Sequence, residues 1–196
     1  MAIRHEHPAG PSWKKSVDAV EMGQRSYLRY PSGRDEAEFV ALMRLSRRLH
    51  HPWVTTMDAE GFQQYLGRSG RPDVEALLVC RRDSDEIAGF LNLSQIYYGG
   101  FCNAMCGYAA FAPSAAQGYL REGLSLTLRH AFVTLRLHRV EANIQPGNER
   151  SQRLAAACGF RLEGFSPRYL KIGGRWRDHE RWAVTVEDWR RRPHAG

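Results

Sequence analysis

The sequence predicts an α/β fold, of the α+β kind, in which a mixed sheet is covered by helices. Three observations carry this. Runs of period two and runs of period three to four follow one another along the chain. Their order is strand, two helices, three strands, helix, strand, helix, two strands, which lacks the regular strand–helix repeat of a doubly wound parallel sheet. The chain has 196 residues, 43% hydrophobic and 25% charged, enough apolar surface for one core and too little net polarity for a disordered chain.

Residues 1–24 mix His, Pro, Gly, Lys and Glu without a period and read as an N-terminal arm. A short aromatic strand is predicted over Ser26–Tyr30, broken by Pro31-Ser32-Gly33. Phe39, Leu42, Met43, Ser46 and Leu49 fall on one face of a helix that starts near Asp35 and ends at His50-His51-Pro52. Asp58 is a good N-cap for a second helix carrying Phe62, Tyr65 and Leu66. Val74–Cys80 is an apolar run, and Ile87, Gly89, Leu91 and Leu93 alternate with Ala88, Phe90 and Asn92, so two strands joined by 81–85 make a hairpin. A further strand spans Asn103–Phe111. Leu120, Leu124, Leu128, Ala131 and Leu135 mark the longest helix, and Val140, Ala142 and Ile144 a strand with one apolar face. Pro146-Gly147-Asn148 turns into a helix capped by Gly159, and strands over Arg161–Ile172 and Trp176–Val186 flank the tight turn Gly173-Gly174. The domain reads as 25–190, with a basic tail at 191–196.

A formal net charge of +7 favours polyanionic company: a phosphorylated cofactor, an acidic protein or nucleic acid. The arginine pairs lack the interleaved aromatics of a strand-binding groove, which favours a solvated basic face. No apolar run reaches the roughly 20 residues of a membrane span, so the expectation is a soluble, cytoplasmic protein without membrane association. Cys80, Cys102, Cys106 and Cys158 have no His or second pair completing a zinc pattern, so reduced thiols and no metal are expected.

Chemistry concentrates after Phe111. The junction Ala115-Ala116-Gln117-Gly118-Tyr119-Leu120 opens a helix whose first N–H groups have no partner within it, and the helix dipole and small residues there suit a pyrophosphate. Asn148 is an N-cap by type, and Ser151 offers either a second cap or a hydroxyl donor.

Gly107-Tyr108, Gln117-Gly118-Tyr119-Leu120-Arg121-Glu122-Gly123-Leu124, Leu137-His138-Arg139-Val140-Glu141-Ala142, Asn148-Glu149-Arg150-Ser151, Cys158-Gly159-Phe160 and Gly173-Gly174-Arg175-Trp176-Arg177-Asp178-His179 occur in order. In these segments the chain resembles the GNAT superfamily of N-acetyltransferases, and within it the ribosomal-protein-alanine subfamily, over Ser26–Trp189. The resemblance implies a mostly antiparallel sheet splayed at one parallel strand pair, with acetyl-CoA as cosubstrate in the resulting V. It implies cofactor contacts at Ala110, Phe111, Ala116, Gln117, Gly118, Tyr119, Leu120, Asn143 and Asn148. Ser151 is implied as the catalytic group that protonates or hydrogen-bonds the leaving thiolate. Gly118 matches the central glycine of the family's Q/R-x-x-G-x-G/A pattern, whereas Ala115 and Leu120 depart from it.

The implied reaction is direct attack of an amine on the acetyl group. The expected acceptor is a protein N-terminus, with possible ribosome association, in a monomer or homodimer. A small amine such as a polyamine, amino acid or antibiotic is the alternative, and a noncatalytic acyl-CoA-binding or RNA-associated module a further one. The helices over 35–66 and the loop Tyr97–Gly100 are expected to line the acceptor groove. No carboxylate stands out as the base: Leu170 occupies a position where some relatives carry an acid, Glu141 and Glu163 read as structural, Gln95, Tyr97 and Tyr98 as at most water-positioning, and His138 as packed or hydrogen-bonded.

Overall fold

The computed structural model describes residues 19–192. Its eight strands are β1 (Ala19–Met22), β2 (Ser26–Arg29), β3 (Val74–Arg81), β4 (Ile87–Tyr97), β5 (Asn103–Ala110), β6 (Arg139–Ile144), β7 (Arg161–Ile172) and β8 (Arg175–Thr185). They form one sheet in the order β1-β2-β3-β4-β5-β6-β8-β7. Only β5 and β6 run parallel; every other neighbouring pair is antiparallel. The helices are α1 (Glu36–Leu45), α2 (Arg47–His50), α3 (Ala59–Arg68), α4 (Tyr119–Arg129), α5 (Glu149–Cys158) and α6 (Val186–Arg190).

β3 shows why its sequence is a continuous apolar run. Leu77 and Val79 face one side of the sheet, where they pack with Leu91, Leu93, Leu124 and Leu128. Ala76, Leu78 and Cys80 face the other, among Phe39, Met43, Phe62, Tyr65, Phe90 and Phe111. A strand buried on both faces has no polar side to alternate with. The second cluster is an aromatic stack centred on Phe39, whose ring centroid lies 5.0 Å from Phe62 and 5.3 Å from both Phe90 and Phe111. Aromatic pairs at such distances contribute roughly 0.5–1.5 kcal/mol each beyond area burial. The fork-to-fork ion pair of Arg29 with Asp35, at 2.7 and 2.8 Å, ties the end of β2 to the turn that starts α1.

The structure differs from the sequence reading at five places. Residues 19–22, read as part of an arm, form β1 because they pair with β2 and bury Glu21 against Arg129; residues 1–18 lie outside the described part, as do 193–196 of the tail. Ile87 and Gly89 do not share a face, because the β3–β4 register shifts beside Cys80 and moves Ile87 to the aromatic side with Phe90. The first helix is divided at Ser46, whose hydroxyl accepts the Ala112 N–H at 2.9 Å. The last strand gives way at Thr185, which caps α6 by accepting the Asp188 N–H. The longest helix also ends in a π-helical turn, His130–Thr134.

α4 lies close on the sheet at Gly123, where a Cβ would sit 2.6 Å from Val79 Cγ2. Gly123→Ala should therefore destabilise the fold by about 1–2 kcal/mol, because overpacking a β-branched neighbour outweighs alanine's helix preference. A melting temperature equal to or above that of the parent chain would show that the contact yields freely.

Candidate active site

The hydrogen-bond ladder between β5 and β6 ends at Met105 and Glu141. β5 continues five residues to Ala110 and β6 three residues to Ile144, so the strands part. Two grooves meet in this opening. The larger, 810 Å³, runs between the end of β5, the turn before α4 and the start of α5, with Ala110, Ala116, Gly118, Leu120, Gly147 and Asn148 on its wall. The smaller, 470 Å³, lies between the α2–α3 connection, β4, β5, β6 and the β7–β8 hairpin. Tyr108, Asn148 and Ser151 line both.

Where the grooves meet, two hydroxyls touch. The Ser151 hydroxyl donates to Tyr108 Oη at 3.0 Å, and Tyr108 Oη donates to the Ser151 carbonyl at 3.2 Å. Ser151 is not the cap of α5: Asn148 Oδ1 accepts the Ser151 N–H at 3.3 Å, which frees the serine side chain for Tyr108. Burial pushes the Tyr108 phenol above its ordinary value, so it keeps its proton as a donor must. Tyr108 belonged to a resembling segment but carried no role in the sequence reading. Its signal was a lone large polar side chain among Gly107, Ala109 and Ala110.

The turn before α4 is built for an anion. Ala116 and Gly118 both have positive φ, 59° and 90°. The N–H groups of Ala116, Gln117, Gly118, Tyr119 and Leu120 have no protein acceptor among the described residues. Consecutive N–H groups turned to one side by alternating backbone hand make an anion-binding concavity, here at the positive end of α4. The turn is braced from behind. Glu122 accepts from Gln24 N, from Arg25 N at 3.1 Å and from the Ser26 hydroxyl at 2.7 Å. The brace holds Arg25 so that its guanidinium donates to the Gln117 carbonyl at 2.8 Å and lies 4.5 Å from the centre of the Tyr119 ring.

Not every residue implied by the resemblance reaches a groove. Phe111 does not: its side chain is fully buried in the aromatic cluster, its N–H bonds Ala88 O and its carbonyl accepts from Ser114. Ala110 does, although its carbonyl accepts from His50 Nε2 at 2.8 Å. Gln117 and Tyr119 do not line either groove: the Gln117 side chain bonds Pro113 O and the Tyr119 ring packs into the core. Asn143 lines the smaller groove, with Nδ2 on Met105 Sδ and Oδ1 buried without a partner. That orphaned acceptor and the open N–H row fit a ligand with both amide donors and phosphates, as acetyl-CoA has.

The loop Tyr97–Gly100 lines neither groove; Thr55, Tyr65 and Arg68 line the smaller one, and Trp53 and Val54 line both. Glu141 and Glu163 both bind Arg139 and are structural, as expected. No group of side chains able to hold a metal occurs among the described residues. No helix among them is long and apolar enough to cross a membrane.

Comparison with known proteins agrees with this geometry. The family model described as an acetyltransferase (GNAT) domain matches residues 25–161. A [ribosomal protein uS5]-alanine N-acetyltransferase of Escherichia coli is 38% identical over 107 residues, 55% of this chain and 55% of the relative, so the match spans about half the length of each. The structure of Mycobacterium smegmatis RimJ in complex with CoA-disulfide superposes with a TM-score of 0.75 at 26% identity, covering 83% of this chain and 82% of that one. A spermidine N-acetyltransferase from Vibrio cholerae, in complex with CoA and spermine, shares the fold alone, with a TM-score of 0.73 at 19% identity over 85% of this chain and 99% of that one.

Replacing Glu122 by Ala should release the brace, and calorimetry should then show acetyl-CoA affinity lowered by about tenfold, the equivalent of roughly 1.4 kcal/mol. Unchanged affinity would mean that the turn holds its shape without Arg25.

Proposed function

The chain belongs to the GNAT acetyltransferase family, and from that premise we propose that it moves an acetyl group from acetyl-CoA to the α-amine of a protein N-terminus. The observation that carries this reading is the hydroxyl pair of Tyr108 and Ser151 at the junction of a large groove with an anion-binding turn and a smaller, separate groove. Such a junction lets a thioester enter from one side and an amine from the other, so transfer needs no covalent acyl-enzyme.

The chain's own groups supply recognition and proton transfer. The N–H row of Ala116 to Leu120 binds phosphate oxygens, and Asn143 Oδ1 accepts an amide N–H of the arm. As the C–S bond breaks, negative charge develops on sulfur. A donor placed there lowers the barrier, and the Tyr108–Ser151 pair is that donor.

The acceptor groove favours a peptide over a polyamine. Its lining holds no Asp or Glu among the described residues, but it holds Arg68, Asn92, Ser94 and Gln145. A polycation would need carboxylates to replace its lost hydration. A peptide needs hydrogen-bond donors and acceptors for its backbone, and Arg68 suits a carbonyl or an acidic side chain. The net charge of +7 suits an acceptor held in a polyanionic particle such as the ribosome.

Thiol release should be measured with peptides beginning in Ala or Ser and with spermidine. The expected outcome is peptide turnover at least about tenfold above spermidine by kcat/KM, and the reverse order would transfer the proposal to a small amine. Ser151→Ala should lower kcat by roughly tenfold, and Tyr108→Phe, which removes the donor itself, by roughly a hundredfold, with little change in acetyl-CoA affinity. Because Asn148 caps α5, the serine variant should melt within about 0.5 kcal/mol of the parent. Full turnover in Tyr108→Phe would exclude the pair as the acid.

A further inference from the structure

The acyl transfer proposed above requires a group that takes the amine's proton. We infer that His179 is this general base, its Nε2 receiving the proton inside the smaller groove, directly or through one bridging water. The inference rests on the acetyltransferase reading and adds to it a residue that no motif assigned.

The first argument is by composition of the groove. No carboxylate lines it among the described residues. Its other titratable groups are unsuited: burial pushes the Cys106 thiol up to about 12 and raises the Tyr65 and Tyr108 phenols, and Arg68 is a permanent cation. His179 is left as the one lining side chain that offers a lone pair near neutral pH.

The second argument fixes which nitrogen carries that lone pair. His179 Nδ1 lies 3.0 Å from the carbonyl oxygen of Arg177. A carbonyl can only accept, so Nδ1 holds the ring proton and the neutral ring has its lone pair on Nε2. Nε2 has no protein partner among the described residues, and the residue lines the smaller groove although it is only 2% exposed.

The third argument is positional. β8 pairs with β7 at Ser166 opposite His179, and the register between the strands shifts between Ser166 and Leu170. Arg168, within that shift at φ 50°, donates its N–H to Asp178 Oδ1 at 2.7 Å and pins the bulge to β8 beside the histidine. The Tyr169 ring meets the imidazole edge-on, 6.2 Å between centroids. Leu170 and Ile172 make the neighbouring wall apolar. Burial holds the imidazole below its ordinary value, against the opposing pulls of the Arg177 carbonyl and then Asp178, which favours the neutral ring at pH 7. Of the titratable or charged groups, Asp178 on its own strand and Tyr169 from β7 act on it directly, and Cys106 and Tyr108 from β5 and Arg68 from α3 line the same groove.

The step balances. The amine lone pair forms the C–N bond at the acetyl carbonyl, and Nε2 takes the N–H proton to give imidazolium. The C–S bond breaks with its electron pair on sulfur, and the thiolate takes the proton of the Tyr108–Ser151 pair. Solvent then returns a proton from the imidazolium to the hydroxyls.

The test uses the full chain with an Ala-initiated peptide. His179→Gln should lower kcat by roughly a hundredfold to ten-thousandfold with acetyl-CoA affinity by calorimetry unchanged, and imidazole in the buffer should partly restore His179→Ala. For the parent chain, log kcat/KM should climb with slope two below the imidazole pKa, then with slope one up to the amine's at about 8. The Gln variant should keep slope one throughout. Long-range proton–nitrogen spectra of the parent chain, with the signal assigned by its loss in the variant, should show Nδ1–H at pH 7.5. Turnover within threefold of the parent with the slope-two limb retained, or an Nε2–H tautomer, would overturn the assignment while leaving the acetyltransferase reading intact. A parent chain that binds acetyl-CoA but turns over no amine would remove both.

Discussion

Everything in the site depends on the parting of two parallel strands. β5 and β6 share only three residue pairs before their ladder ends at Met105 and Glu141. Beyond that point a sheet interior has lost its hydrogen bonds, and backbone groups there need other partners. The structure supplies one in His50, a buried imidazole whose Nε2 meets the Ala110 carbonyl, and places Tyr108 as a strut from β5 to the first turn of α5. The strands remain open because α5 is fixed to the strut, and α5 is fixed because Asn148 caps it where it leaves β6. The opening is therefore tied to the sheet's connectivity and to the contacts of α5 with β5.

The same opening explains the division of labour between the grooves. One mouth faces a helix N-terminus with a row of N–H groups that have no partner among the described residues, a positive surface made from backbone. The other faces the β7–β8 hairpin and carries almost no charge beyond Arg68 and the buried His179. In the proposed reaction this contrast would direct a phosphorylated thioester to the first mouth and leave the second to the amine. The permanent charges gather on the surface, where +7 costs little in water.

Much of this was legible in the sequence where the cause was local. The two-residue turn at Gly173-Gly174, the N-caps at Asp58 and Asn148 and the helical face of Leu120, Leu124 and Leu128 follow from turn chemistry and periodicity within a few residues. What escaped depended on partners far along the chain. β1 exists because Glu21 finds Arg129, 108 positions away, and the facing of Ile87 depends on a register shift opposite Cys80. Phe111 reads as a groove residue by its place after β5, yet Phe39 and Phe90 claim its ring. Ser151 had two readings, hydroxyl donor ahead of cap, and the structure gives the cap to Asn148 and the serine hydroxyl to Tyr108.

His179 was the least legible group, for a reason that bears on how such sites are built. In the sequence it follows Arg175-Trp176-Arg177-Asp178 just after the Gly173-Gly174 turn, and its neighbours along β8 are exposed or half-buried. Its burial comes from the bulge that Arg168 and Asp178 close, a feature with no periodic signature. A carboxylate in the Leu170 position would sit on an apolar wall and need a partner charge to stay ionised. An imidazole avoids that cost, since it is neutral in its working state and burial favours that state. A leucine at 170 and a histidine at 179 are consistent with one another for this reason: removing the acid makes the wall apolar, and the apolar wall keeps the imidazole in the form that accepts a proton.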